Sequence, residues 1–306
     1  MNDLAWIWKI SSRVHEGTGL VITSRRLRYF AQALLVYGAL KPFMHAPRPK
    51  SLGKLMTQRQ ETVGVVIWPY QCLDWDACTR LNRIRDHYSI IDSLGGPIDF
   101  PVNDRLVLLD LGEIREDLQI VLDQPKWFMR EGQLTINLFL GDLRLYSLVF
   151  SLGSDAEGVA AFVGAIQGRD LEGILEEYRA LTKAAHGMRP RDLLIEAFRM
   201  FCRAIGVARI YAVADEHRQH RSPYYGPTAD KKLNLNYDEV WKERRGVRVD
   251  RLHFQLDVNP TERDLESIPA KKRGMYRRRY EMLRKIDKSF RARWSALAKA
   301  STSRET

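Results

Sequence analysis

His186-Gly-Met-Arg-Pro-Arg191 is the stretch of this 306-residue chain whose side chains are best suited to chemistry. Histidine titrates nearest neutrality of all side chains, so His186 is a candidate general base or anion ligand; its plainer role is a turn residue capping a helix carbonyl. Pro190 suits the first turn of a helix, where its missing N–H would be unpaired anyway. Arg189 and Arg191 then flank a helix start, where unpaired N–H groups and the positive end of the helix dipole favour an anion. Further on stand Asp215, Glu216 and His217, a set able to form an acid–base pair or bind a metal. With His220 they match no recognised ligand spacing, and a solvated loop is the alternative. Glu113 follows an apolar run and is placed to reach the same cleft.

These residues need elements to hold them. Leu193, Leu194, Ala197, Phe198, Phe201 and Ile205 recur at helical spacing, Gly206 sits at the expected helix stop, and Val207 to Ala214 reads as a buried strand. Cys202 falls on the buried stripe and reads as a core thiol. Before the motif, Leu106 to Gly112, Leu118 to Leu122, Gln133 to Leu140 and Leu143 to Leu152 read as strands of an antiparallel meander, with Glu131-Gly132 and Gly141-Asp142 as turns. Ala160 to Gln167 continues the pattern, and Leu171 to Ala185 reads as a helix. Leu252 to Val258 is one last strand, and Asn236 to Trp241 a short helix. An antiparallel run leading into strand–helix–strand gives an α+β fold with a central mixed, largely antiparallel sheet.

Earlier still, Gly64 to Trp68 reads as a short strand and Asp74 to Ile91 as a helix. A helix ending near Lys41-Pro42 carries a basic start and apolar Leu34, Leu35, Tyr37 and Leu40. It either packs on the core or lies at an anionic membrane interface. Ala46 to Lys50 is a Pro-rich hinge. Residues 1–50 are therefore expected to form a helical extension and hinge, 51–300 an α+β domain ending in a basic helix, and 301–306 a frayed tail.

Composition narrows the classes. From Lys271 onward there are 13 Lys or Arg against three acidic residues, so nearly all of the +11 net charge lies there. That segment, through Lys271, Lys272, Arg273, Arg277, Arg278 and Arg279, could meet an anionic membrane surface or acidic partner, ahead of nucleic acid, or be a partly solvated helix. Three cysteines without metal spacing point to a reduced compartment, and no signal peptide or spanning run is legible, so a cytoplasmic protein, peripheral at the inner membrane if it binds one, is expected. Phosphate-loop, His-Glu-x-x-His and Gly-x-Ser-x-Gly motifs are absent, which weighs against those NTPases, metalloproteases and hydrolases.

Three motifs, His186 to Arg191, Tyr237-Asp-Glu-Val-Trp241 and Lys271-Lys-Arg-Gly-Met-Tyr-Arg-Arg-Arg-Tyr280, fall in order with Gln167-Gly168 and Thr182-Lys183. Together they resemble the VirK/YbjX family of Gram-negative bacteria. The resemblance implies a domain of unknown function, with links to virulence and antimicrobial-peptide resistance in some members. A second resemblance, of fold, is to the GNAT acyltransferases, carried by Val163 to Gln167, the Arg189-Pro-Arg191 turn, the Asp192 to Ile205 helix and the Arg209 to Ala214 strand. It implies an acyl-CoA donor whose pyrophosphate meets the helix start, with Gln167, Gly187, Arg189 and Arg191 around it. His186, Asp215, His217 or Tyr237 would then handle protons, Tyr237 resembling the tyrosine near the thioester sulfur. The chain departs from that pattern in lacking the Gln/Arg-x-x-Gly-x-Gly/Ala loop, in Pro190, and in the extra helix before the turn. The alternative is a non-enzymatic membrane- or partner-binding factor acting through the basic helix.

Overall fold

The computed structural model describes residues 2–226 and 235–302. Helices α1 (Asp3–Val14), α2 (Leu20–Leu35), α3 (Tyr37–Met44) and α4 (Lys50–Gln58) lead through a 3-10 turn at Gln60–Val66 to α5 (Ala77–Leu94). The strands β1 (Arg105–Asp110), β2 (Leu118–Asp123), β3 (Leu134–Leu140), β4 (Leu143–Asp155) and β5 (Gly158–Gly168) form the expected antiparallel meander. Helices α6 (Ile174–Ala184) and α7 (Pro190–Ala204) cross to β6 (Arg209–Val213), followed by α8 (Tyr237–Glu243), β7 (Val247–Arg248), β8 (His253–Leu256) and the long α9 (Ala270–Thr302). The sheet order is β1-β2-β3-β4-β5-β6-β8-β7, with β5 and β6 parallel and every other pair antiparallel. This is the α+β fold with a mixed sheet.

Successive residues of a strand face opposite sides, and β4 shows what each side holds. Phe150 packs on Phe198 and Phe201 of α7, and Trp294 of α9 meets Phe201 edge-on. Its neighbour Ser151 pairs with Phe162 across the ladder, and there Arg83 of α5 lies over the Phe162 ring, 4.1 Å from its centre. Helices α7 and α9 thus cover one face and α5 the other. The α7 stripe read from the sequence is buried throughout, and burial pushes the Cys202 thiol far up.

Two local expectations are corrected. Gly64 to Trp68 is not a strand: Ile67 and Trp68 both donate to the Gly64 carbonyl, and the Trp68 ring folds back so closely that a Cβ on Gly64 would lie 2.5 Å from it. The helix expected to stop at Lys41-Pro42 runs on to Met44 with Pro42 inside it, after a break at Val36. Leu40 is buried, whereas Leu34 and Leu35 are exposed. Of the 301–306 tail, residues 303–306 lie outside the described residues, and α9 continues through Thr302.

The parallel pair positions the site. It is hydrogen-bonded only from Ala160 to Val163 against Arg209 to Ala212. Beyond that β5 runs on to Gly168 while β6 ends, so the strands part. Gly164 bulges there, where register shifts between Val149 and Phe150 of β4. A Cβ on Gly164 would lie 2.0 Å from the Glu131 carbonyl oxygen, so only glycine lets this backbone pass.

Candidate functional site

Helix α6 ends in two consecutive left-handed residues, His186 (φ 50°) and Gly187 (φ 76°). The Gly187 N–H donates to the Thr182 carbonyl (2.7 Å) and the His186 N–H to that of Lys183 (3.3 Å), the paired bonds of a Schellman cap. Glycine is usual at the first of these positions, and here it is histidine. From α9, Arg279 sends Nε and Nη2 to the His186 carbonyl (3.2 and 3.0 Å), while Met275 packs so close to Gly187 that a Cβ would meet its sulfur at 2.8 Å. The imidazole itself has no hydrogen-bond partner among the described residues.

The His186-Gly187 turn walls an open groove of about 730 Å³. Its floor is Tyr146, Leu175, Tyr178, Pro190 and Met275, and its cations are Arg179, Lys183, Arg189, Arg191 and Arg278. No carboxylate lines it among the described residues. Arg189 caps α7, and the first bond inside that helix runs from the Leu193 N–H to the Arg189 carbonyl, so the Arg191 and Asp192 N–H groups precede it. Arg191 is buried and tied to Glu243 of α8 and to Asp192, whereas exposed Arg189 lies 3.7 Å from the same Glu243. Lys183 and Arg278 have no carboxylate partner among the described residues. Tyr178 bonds at the floor, accepting from the Arg169 N–H and donating to the Leu145 carbonyl, and burial pushes its hydroxyl up to about 12. A second groove, of about 820 Å³, shares His186 and Arg278 and continues along α9 past Glu113, Asp110, Glu281 and Lys285.

The other sequence candidates stand across α8. Asp215 accepts from the Tyr237 N–H (2.9 Å) and from Arg218 and Arg221, and its own N–H donates to Asp238. Burial alone would raise its carboxyl, but the Tyr237 N–H, Arg221 and Arg218 outweigh that and hold it below the usual carboxylate range. Tyr237 is fully buried, and burial raises its hydroxyl against the lowering charge of Arg218, which lies over its ring at 3.6 Å. That hydroxyl accepts the Ile166 N–H (3.0 Å), filling the gap where β5 and β6 part. Buried His217 bonds through Nδ1 to Asp74 (2.5 Å), with Nε2 3.3 Å from Glu216.

His186, Gly187, Arg189 and Arg191 therefore share one groove, and Glu113 shares the second with His186. Asp215, His217 and Tyr237 line neither groove; α8, about 10 Å long, has its first residue bonded to Asp215 and its last to Arg191. Gln167 is exposed at the end of β5, next to the Gly168 that pairs with Tyr146. Sequence reasoning missed Arg179, Tyr146, Tyr178 and Met275 as lining. The available signal was Leu175, Arg179, Thr182, Lys183 and His186, which repeat at three- and four-residue steps on one face of α6.

Among the described residues no cluster of three or more His, Cys, Asp or Glu could hold a metal ion, and no helix is long and apolar enough to cross a membrane. Fold and site thus define an α+β protein with a cationic, apolar-floored groove over its parallel crossover. Residues 19–292 match the family described as "Protein of unknown function (DUF535)", and the chain belongs to that family, in agreement with the VirK/YbjX motifs. It is 28% identical to the uncharacterized protein YbjX of Escherichia coli K12 over 239 residues, 76% of this chain and 72% of that one. An uncharacterized protein of Haemophilus influenzae is 32% identical over 236 residues, 75% of this chain and 76% of its own. No solved structure matches the chain.

Proposed function

We propose that this chain is an acyltransferase with a donor of the acyl-CoA kind, whose phosphates lie over the α6–α7 turn. The groove lining carries the reading: five cations and no carboxylate among the described residues, over an aromatic and aliphatic floor. Phosphates need cations and free N–H groups, and a pantetheine or acyl arm needs apolar surface; this groove offers both. Lys183 and Arg278 have no carboxylate to leave before meeting a phosphate, and Arg189 has only a distant one. Arg191, held by Glu243 and Asp192, acts as a positioning residue for the turn.

His186 lies where the two grooves meet. An acceptor hydroxyl or amine entering along Glu113 and Glu281 would give its proton to the imidazole as it attacks the thioester carbonyl. The carbon–sulfur bond then breaks and the thiolate leaves to take up a proton. In this reading Tyr237 holds the parted strands, since it is fully buried, lines neither groove and accepts the Ile166 N–H.

Thermal shift tests the proposal on the full chain with acetyl-CoA, a long-chain acyl-CoA and free CoA. A ligand at a hundred times its Kd adds about 2.7 kcal/mol to native stability, which reads as a rise of a few degrees. Long-chain acyl-CoA is expected to raise the wild-type Tm, with most of the rise lost in Lys183→Glu and Arg189→Ala, whose unliganded Tm stays near wild type. No rise with either thioester at about millimolar concentration overturns the reading.

A further inference from the structure

Helix α2 has two apolar faces, and the protein uses only one of them. Tyr29 and Ala33 are fully buried, the Tyr29 hydroxyl reaching the Val63 carbonyl. On the opposite side Leu20, Leu27 and Leu34 follow one another at seven-residue steps, 91%, 55% and 42% exposed. Two helical turns take close to seven residues, so these leucines form a stripe about 20 Å long. Leu35 and Val21 flank it in the open, and on α1 the exposed Leu4 and Trp8 extend the surface, Trp8 meeting Phe30 edge-on at 6.1 Å. Among the described residues, half of the large apolar side chains left exposed lie between Leu4 and Leu35, so this is a concentrated patch rather than scatter.

The charges of α2 itself are of one sign; the acids of the hairpin are Asp3, held by Tyr37 and His45, and exposed Glu16 in the loop. Helix α2 has no acidic residue. Arg25 and Arg28 are exposed, have no carboxylate partner among the described residues, and line a groove of about 780 Å³ with His15, Gln32, Arg80 and Tyr224. The one carboxylate on that groove, Asp76, is occupied in capping α5 through the Thr79 N–H. On α1, Lys9 is exposed beside Trp8.

We infer that the α1–α2 hairpin docks on an anionic phospholipid bilayer. Leu20, Leu27 and Leu34 enter the acyl boundary, Trp8 lies at the headgroup level, and Arg28, which projects between Val21 and Leu35 round the helix, meets lipid phosphate, with Arg25 one step further round. An exposed apolar arc with an arginine that has no carboxylate partner among the described residues set between Val21 and Leu35, and no acid on its helix, is complementary to a surface that is apolar below and negative above. A second copy of the chain fits less well, because pairing the exposed arc with itself would bring Arg28 towards its own like charge with no acid of α2 to offset it. The inference does not depend on the α6–α7 groove.

Co-sedimentation of the full chain with vesicles tests it, using phosphatidylcholine alone and phosphatidylcholine with phosphatidylglycerol. Wild type is expected to pellet with the phosphatidylglycerol vesicles and release in high salt. L27E/L34E should lower partitioning on the order of tenfold or more, and R25E/R28E should remove the preference for anionic lipid. Both variants alter exposed side chains, so an unchanged Tm shows that the fold is intact. Absence of wild-type binding overturns the inference, as does L27E/L34E binding like wild type. Loss of binding only when Lys271, Lys272, Arg277 and Arg278 are neutralised would move the contact to α9 and overturn it too. So would a wild-type dimer that L27E/L34E converts to a monomer.

Discussion

At the scale of single residues, the site turns on a histidine held where glycine is usual. His186 adopts φ 50° because the Schellman cap of α6 demands it, and a side chain there costs about 1 kcal/mol or more. Two bonds from Arg279 to the His186 carbonyl help to hold that geometry. Asparagine also tolerates the left-handed region, so His186→Asn is expected to leave Tm within about 2 °C of wild type or above it. If the imidazole is the proton acceptor, the same variant lowers turnover on the order of a hundredfold with donor affinity retained. A variant equally active and equally stable would show the histidine to be only a cap. The sequence made this position visible, since His-Gly before Arg-Pro-Arg stands out by residue type. Arg179 was missed because spacing puts it on one face of α6 with Lys183 and His186 but does not say which neighbour that face meets. Tyr237 entered the sequence reading only as a candidate proton donor by resemblance, and its bond to the Ile166 N–H depends on two strands parting, which no local pattern records.

At the scale of elements, the strands were legible because each alternates or runs apolar between turn residues. β7 was missed because two exposed residues carry no pattern. The Gly64 to Trp68 turn misled for a related reason: a five-residue apolar run has no period of its own, and a tryptophan folding onto a glycine decides it. The bulge at Gly164 belongs to the same class of event. There β5 must pass the Glu131 carbonyl, and a methyl group at 2.0 Å from that oxygen cannot be absorbed by a side-chain shift. Gly164→Ala is therefore expected to cost about 3 kcal/mol or more by urea unfolding, with the loss on the sheet rather than on exposed loops. Gly206→Ala makes the comparison, because its Cβ would meet nothing within 4 Å and only its φ of 73° opposes the change. A loss at Gly164 no larger than at Gly206 would mean that the Glu131 turn yields and that the close approach does not fix the parting of β5 from β6.

At the scale of the whole molecule, one continuous core runs from Ile7 of α1 to Phe290 of α9, and a buried histidine on its edge is expected to make it sensitive to acid. His87 of α5 is fully enclosed, its Nδ1 accepting the Leu152 N–H at 3.0 Å where β3 no longer covers β4, and burial lowers its pKa to about 3. The folded protein therefore keeps this ring neutral while the unfolded chain takes up a proton below about pH 6.5. Stability is full above that pH and falls as pH drops from about 6.5 towards 3, by up to about 1.4 kcal/mol per pH unit from this group. Asp215 acts lower down: its carboxyl lies below the usual range, so its contribution is present above about pH 4 and lost beneath it. The net charge of +11 grows over the same interval, adding self-repulsion as carboxylates protonate. Urea midpoints at pH 7 and pH 4.5 should differ markedly for wild type. His87→Asn offers an amide oxygen to the Leu152 N–H but cannot titrate, so it should lose stability at pH 7 and show a smaller drop between the two pH values. An equal drop in wild type and variant would place the acid sensitivity on the surface charge instead of on the buried ring.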